Sequence, residues 1–310
     1  MKAGSKKIIW RILQTVLIGL IFYFLGRQIL IHQEQVLSYD WQVNYYYLIG
    51  STLSVIFTFF LMSSVWRFIV ATLGKRVGYG KAFKIAYLAN LGRYIPGKIW
   101  QMFGMIYLAK KEGISEEEAV TSFGLTQLFA VPSGLLAGIL FLALTPGAIA
   151  KYADIPYMTT GIALGAATIF VVSLLVVFFP RPIENVLNRL LGLLKRPPVR
   201  LVINKSLAAA IYGGYFLAWS LYGFSFWLFL RGVTAQATPL FPIIGLFIIA
   251  YQIGYLFLFA PGGMGPREAV LTVMLTPFFG QGVAEALAIA SRLWLIMAEA
   301  LSAGIALKIK

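Results

Sequence analysis

The chain has no cysteine and only one histidine among its 310 residues. Without cysteine it can form no disulfide, no thiolate nucleophile and no cysteine-based metal site. The histidine, His32, lies in a loop, where a solvated side chain is its usual state. Charged residues make up 12% of the chain, against about 25% in an average soluble domain. We therefore expect no catalytic residues, no metal and no cofactor.

Apolar sequence is what the chain has in abundance. Hydrophobic residues make up 60% of it, and the mean hydropathy is +0.83. This composition predicts an all-α polytopic integral membrane protein, formed by one domain over residues 1–310. The formal net charge of +15 favours anionic membrane lipids, rather than nucleic acid, as partners of its basic loops.

Apolar runs long enough to cross a bilayer predict about six full spans. They cover residues 8–25, 47–73, 119–144, 157–179, 207–230 and 286–307. The first run follows several lysines and has no small-residue cleavage site after it. We therefore expect a retained span there rather than a signal peptide.

A Pro-Gly break divides another apolar segment into two short arms, residues 82–93 and 98–111. At about 1.5 Å per residue, neither arm is long enough to cross the bilayer alone. Pro96 and Gly97 between them predict a re-entrant helical hairpin. The alternative is one span kinked at the proline.

A second re-entrant hairpin is predicted over residues 240–279, where Pro261, Gly262 and Gly263 break the apolar sequence. Here the alternative is that residues 240–260 cross alone, which would place the C-terminus outside.

The distribution of cations favours two re-entrant hairpins. With both present, most loop cations lie on the cytoplasmic side, and only Arg27, Lys151 and Arg231 lie outside. If the first segment crossed instead, the basic loop at residues 181–205 would move outside, against the positive-inside tendency. The prediction is a protein of the cytoplasmic membrane with both termini in the cytoplasm.

The two halves of the chain, residues 1–154 and 155–310, have the same order of elements: two spans, a broken hairpin and a span. Three crossings per half would make the halves an inverted repeat. Interrupted apolar segments at matching places in two halves are typical of a transporter's binding site.

Ionisable residues cluster at these breaks and in the last span. A charge at the centre of a membrane helix costs roughly 2.5–3.5 kcal/mol on insertion scales, so each one suggests a function. The cations are Arg93, Lys98, Arg267 and Arg292; the polar partners are Glu268, Glu299, Gln101 and Gln252. Together they predict a positive pocket for a lipid phosphate.

An alternative is that these charges only hold helices together, through Arg267–Glu299 and Arg292–Glu268 pairs. Two carboxylates cannot neutralise four cations, however, and an unpaired buried charge is costly. The excess of cations favours an acidic ligand.

Two local patterns predict ordinary structure. Gly113, Ser115 and Glu118 fit a helix end followed by a capping box, rather than a metal site. Residues 183–194 have one apolar face and predict an interfacial helix on the cytoplasmic leaflet.

Three motifs resemble those of a known family: NLGRYIPGKIW at residues 90–100, LAKKEGIS at 108–115 and PGGMGPREA at 261–269. The chain is similar to the lysylphosphatidylglycerol synthase transmembrane-region family, the flippase-like module of multiple peptide resistance factors. The resemblance implies movement of lipid, classically aminoacylated phosphatidylglycerol, between leaflets. Arg93, Lys98, Arg267 and Glu268 match the family's motifs. Because the family's cytosolic aminoacyl-transferase domain is absent, lysyl transfer is not expected.

The leading hypothesis is therefore a lipid translocase for an anionic or aminoacylated phospholipid or another lipid phosphate. One alternative is a membrane enzyme acting on lipid-linked substrates such as polyprenyl phosphates. Another is a non-transporting scaffold, in which Gly161 and Gly165 support close helix packing, within the chain or in a homo-oligomer.

Overall fold

The computed structural model describes residues 27, 30–31, 33–95, 99–145, 147, 158–179, 181–193, 195–257 and 260–309. The predicted span 8–25, His32 and the Pro96-Gly97-Lys98 break lie outside the described residues. The helices are α1 (Gln33–Ser38), α2 (Tyr45–Thr72), α3 (Tyr79–Asn90), α4 (Ile99–Lys110), α5 (Glu116–Ala143), α6 (Met158–Phe178), α7 (Arg181–Leu193), α8 (Lys205–Val233), α9 (Leu240–Leu256), α10 (Pro266–Phe279) and α11 (Gln281–Lys308). Short 3-10 turns follow α3 and precede α10, at Leu91–Tyr94 and Pro261–Gly263.

Four helices, α2, α5, α8 and α11, are long and apolar enough to cross a membrane. They correspond to four of the predicted spans. The predicted span 157–179 coincides with α6, whose part Ala167–Phe178 is bent by 97° against Pro182–Leu193 of α7. Counting that bent pair gives up to five candidate spans in the described part of the chain. The protein is thus an all-helical integral membrane protein.

Helices α2 and α8 form a long antiparallel pair. At one end the Asn44 amide donates to the Gly232 carbonyl at 2.9 Å. Near the middle the Ser225 hydroxyl donates to that of Ser54 at 2.8 Å. At the other end the Val202 amide donates to the Thr72 carbonyl at 2.7 Å. We call the two ends of this helix pair the two poles of the molecule.

The pole at which α2 ends is rich in cations, and we call it the basic pole. Cations of its loops and helix ends are Lys75, Arg76, Lys81, Lys84, Lys110, Lys111, Lys195, Arg196, Arg200, Lys205 and Lys308. The predicted capping box is confirmed here: Ser115 and Glu118 bond reciprocally at the start of α5. Helix α7 also lies at this pole, where its Asn188 binds the backbone of Val199.

Helices α3 and α4 pack antiparallel, and with the turn Leu91–Tyr94 we call them hairpin A. At its open end, on the basic pole, Lys81 Nζ lies 2.8 Å from Glu112 Oε2. Near its tip, Gln101 Nε2 donates to Asn90 Oδ1 at 2.8 Å. Both arms return to the same pole, whereas a single kinked span would place their outer ends at opposite poles.

Helices α9 and α10 form a second antiparallel pair, which with the turn Pro261–Gly263 we call hairpin B. At its open end, on the pole opposite the basic one, Gln236 Nε2 donates to the Phe278 carbonyl at 2.9 Å. Nearer its tip, a Cβ added to Gly254 would lie 2.5 Å from Arg267 Cβ, so the helices are in very close contact.

The tips of the two hairpins meet inside the bundle. A Cβ added to Gly262 would lie 2.7 Å from the Tyr94 ring, and Arg292 Nη1 donates to the Gly262 carbonyl at 3.1 Å. Helix α11 runs past both tips towards the basic pole, where Lys84 Nζ donates to the Ile309 carbonyl at 2.6 Å. The hairpins therefore enter from opposite poles and end at the same depth.

We predict that Gly254→Ala lowers the thermal unfolding midpoint of the detergent-solubilised protein. The new methyl group overlaps Arg267, and overpacking of this kind costs about 1–3 kcal/mol. The matched control is Gly304→Ala, whose Cβ meets nothing within 4 Å and which should be neutral or slightly stabilising. Equal midpoints for the two variants would contradict the close packing of hairpin B.

Candidate functional site

Four ionisable side chains are almost completely buried where the hairpin tips meet. The exposed fraction is 6% for Arg93, 1% for Arg267, 2% for Glu268 and 5% for Glu299. Arg292 is slightly more open, with 11% of its side chain exposed. Charges at this depth persist only when paired and hydrogen-bonded, so their partners define the site.

Glu299 of α11 is held by the tip of hairpin A. Arg93 Nη2 donates to its Oε1, and the Tyr94 hydroxyl donates to its Oε2. The Tyr87 hydroxyl donates to the Glu299 backbone carbonyl at 2.8 Å. The carboxylate therefore fixes the tip against α11.

The Arg267–Glu299 bridge of the alternative interpretation does not form. Arg267 Nη2 instead donates to the Ser291 hydroxyl at 2.9 Å. Ser291 and Glu299 are eight residues apart on α11, which is about 12 Å along a helix. Arg267 thus contacts α11 about two helical turns away from the Glu299 carboxylate. That carboxylate is bound by Arg93 instead.

Glu268 joins the remaining two arginines. Its Oε2 accepts the Gly265 amide at 2.8 Å and caps α10. Its Oε1 lies 3.9 Å from Arg292 Nη1 and 4.0 Å from Arg267 Nε. The Arg292–Glu268 pairing of that alternative is present, although at this distance it is an ion pair without a hydrogen bond.

The described cluster retains an excess of positive charge. Three arginines and two carboxylates leave a net charge of 3 − 2 = +1. Several donors also have no hydrogen-bond partner among the described residues: Arg267 Nε and Nη1, and Arg292 Nε and Nη2. Guanidinium groups with unused N–H donors are well suited to a phosphate, which accepts two parallel hydrogen bonds.

A cavity of about 130 Å³ extends from the tips towards the basic pole, between hairpin A, α2, α5, α8 and α9. Arg93, Gln101 and Gln252 all line it. A smaller cavity of about 10 Å³ adjoins it, and Arg93, Arg267, Gly262 and Gly263 are among the residues that line it. The tips of the two hairpins, far apart in sequence, thus contribute Arg93 and Arg267 to the same cavity.

Gly262 and Gly263 explain the break at the second tip. Their φ angles are 58° and 72°, in the left-handed region that favours glycine. The turn carries the chain from α9 into α10, which starts at Pro266, a favourable first helical residue. Arg267 and Glu268 follow in the first turn and so lie at the tip.

Sequence reasoning missed several residues of the site. Tyr94 and Ser291 hold Glu299 and Arg267, and five tyrosines line the larger cavity: Tyr87, Tyr215, Tyr222, Tyr251 and Tyr255. The spacing of the tyrosines could have indicated this shared surface. Tyr215 and Tyr222 are seven residues apart and Tyr251 and Tyr255 are four apart, and residues at either spacing share a helical face. Lys98, Pro96 and Gly97 lie outside the described residues.

The fold and the site define a helical integral membrane protein with a positively charged chamber between two opposed hairpins. The family model of the lysylphosphatidylglycerol synthase TM region matches residues 11–297. The chain belongs to this family, and the resemblance found from its motifs is confirmed. No curated protein and no solved structure matches the chain. Family membership indicates a function related to membrane lipids.

We predict that Arg93→Met destabilises the protein by about 3–5 kcal/mol, because it leaves Glu299 charged and buried without its cation. The double variant Arg93→Met/Glu299→Leu should recover most of that loss, because it removes both charges. Unfolding in detergent, analysed as a double-mutant cycle, measures the coupling. Additive losses would show that the two side chains are not a pair.

Proposed function

We propose that this protein is a lipid translocase of the cytoplasmic membrane. It moves a phospholipid or another lipid phosphate between leaflets, with the headgroup in the chamber and the acyl chains in the bilayer. One observation carries the proposal: Arg93 and Arg267, from separate broken hairpins, line the same buried chamber. An apolar bundle that needed only structural pairs would gain nothing from a surplus cation.

The phosphate is held by the arginines of the tips. Arg267 and Arg292 have unused donors, and Arg93 and Arg267 both line the smaller cavity. We add Lys98 to these phosphate-binding residues because it lies five residues after Arg93 in the sequence. Glu268 and Glu299 hold the arginines in position and limit the positive charge that the headgroup meets.

The opposed hairpins provide a route for alternating access. Hairpin A enters from the basic pole and hairpin B from the opposite pole, while α2 and α8 run antiparallel. This reversal supports an inverted repeat of residues 1–154 and 155–310, with two re-entrant hairpins. In such repeats one half rocks against the other around a central site.

The described state has its chamber on the side of the basic pole. The contact between Tyr94 and Gly262, together with the Arg292–Gly262 hydrogen bond, closes the way to the opposite pole. By the positive-inside tendency the basic pole is cytoplasmic. We therefore infer an inward-facing state, in which release to the outer leaflet requires the tips to separate.

Single cysteines test this orientation without background, because the chain has none of its own. In intact cells, a membrane-impermeant maleimide should label Ala235→Cys but neither Lys81→Cys nor Lys111→Cys. After permeabilisation all three should react. Labelling of only one of the two lysine positions in intact cells would contradict a re-entrant hairpin A.

Translocation itself is tested in proteoliposomes with fluorescent phospholipid, by quenching the outer leaflet with dithionite. Arg267→Gln should slow translocation at least tenfold, because losing one charge-assisted hydrogen bond costs about 1.5–3 kcal/mol. The matched control is Arg196→Gln, which removes an exposed ion pair with Glu116 and should stay within about twofold of the wild type. Wild-type rates no faster than protein-free liposomes, or equal rates for all variants, would refute the proposal.

A further inference from the structure

The larger cavity differs in chemistry from the arginine cluster at its inner end. Among the described residues that line it, Arg93 is the only one that is charged at neutral pH. Its other polar side chains are neutral, and they include the amides of Gln101 and Gln252 and the hydroxyl of Tyr222. A headgroup that enters with its phosphate at the arginines places its remaining atoms against this neutral wall.

Several of these polar groups have no hydrogen-bond partner among the described residues. Gln252 is fully buried, and neither atom of its amide is paired. The Gln101 carbonyl oxygen and the Tyr222 hydroxyl are also unpaired, with exposed fractions of 3% and 1%. Buried polar groups in folded proteins are normally satisfied, so groups of this kind on a cavity wall indicate a ligand that supplies the partners.

The Gln252 amide is held in place by close packing. A Cβ on Gly134 would lie 2.0 Å from Gln252 Nε2 and 2.8 Å from Trp219 Nε1. Trp219 itself is fixed by donating to the Ala130 carbonyl at 2.8 Å. A glycine of α5 thus makes room for the amide, and the amide has a defined position on the wall.

We infer that the headgroup beyond the phosphate is an uncharged polyhydroxyl group, such as a glycerol, an inositol or a sugar. This rests on the proposed function and names its substrate class. A hydroxyl both donates and accepts, as do a tyrosine hydroxyl and the two ends of an amide. A polyol can therefore satisfy Gln252, Gln101 and Tyr222 together, and their apolar surroundings can pack against its carbon frame.

An ammonium-bearing headgroup fits this wall poorly. An ammonium only donates, so it leaves the amide donor of Gln252 without a partner. Glu268 and Glu299 already contact arginines, and Arg93 on the same wall repels a cation. The inference therefore departs from the aminoacylated lipid that the resemblance implied.

The test is lipid-dependent stabilisation of the purified full-length chain in detergent. Phosphatidylglycerol and phosphatidylinositol are compared with phosphatidylcholine and lysylphosphatidylglycerol, each titrated against the thermal unfolding midpoint. We expect the two polyol lipids to half-saturate at about tenfold lower concentration. A preference for the choline or lysyl headgroup, or no preference, would overturn the inference.

The variant Gln252→Leu tests whether the preference for polyol lipids depends on this amide. It should remove the tenfold preference for polyol lipids, while the matched control Gln42→Leu, an exposed glutamine outside the cavity, keeps it. Without lipid, Gln252→Leu should unfold at or above the wild-type midpoint, because it removes an unpaired buried amide. A clear fall would show that the amide has a structural partner and would overturn the inference.

Binding and transport can fail separately. Selective binding of polyol lipids without translocation would retain the substrate class and refute the translocase. Translocation without headgroup selectivity would retain the translocase and refute the substrate class.

Discussion

Neutralisation of charge inside an apolar bundle is the constraint on which the rest of the structure depends. In α11 the Glu299 carboxylate accepts hydrogen bonds from Arg93 and from the Tyr94 hydroxyl, and a buried carboxylate is costly without such partners. That requirement brings the tip of hairpin A against α11. Glu268 has the same effect at the other tip, where it caps α10 and lies near Arg267 and Arg292. Each carboxylate thus fixes one broken segment in the centre of the molecule.

The length of the hairpin arms sets the depth at which those charges meet. Each arm of hairpin A has 12 residues, about 18 Å of helix, against a hydrocarbon core of about 30 Å. Such an arm ends inside the bundle and cannot cross. A chamber forms where two such hairpins end at the same depth.

Much of this arrangement could be predicted from the sequence. Apolar runs gave four of the long helices, Pro-Gly breaks gave the two interrupted segments, and Ser115 with Glu118 gave the start of α5. The partner of Glu299 could not be predicted, because Arg93 and Arg267 both carry a guanidinium beside a break. Only the tertiary position of each tip decides between them. The neutral wall was missed for a related reason: periodicity shows that Tyr215 and Tyr222 share a face, but not which cavity it lines.

The arginine cluster and the neutral wall of the larger cavity would together set how strongly a lipid headgroup is bound and how easily it is released. Three uncompensated arginines in a medium of low dielectric constant would hold a phosphate too strongly for it to leave, because charge interactions strengthen as water is excluded. Glu268 and Glu299 reduce the net charge of the described cluster to +1, which one phosphodiester neutralises. In the proposed translocase, selection among lipids rests on neutral hydrogen bonds, each worth about 0.5–1.5 kcal/mol net. Contacts of that size can distinguish headgroups and still break when the tips separate, which is what a carrier requires of its binding site.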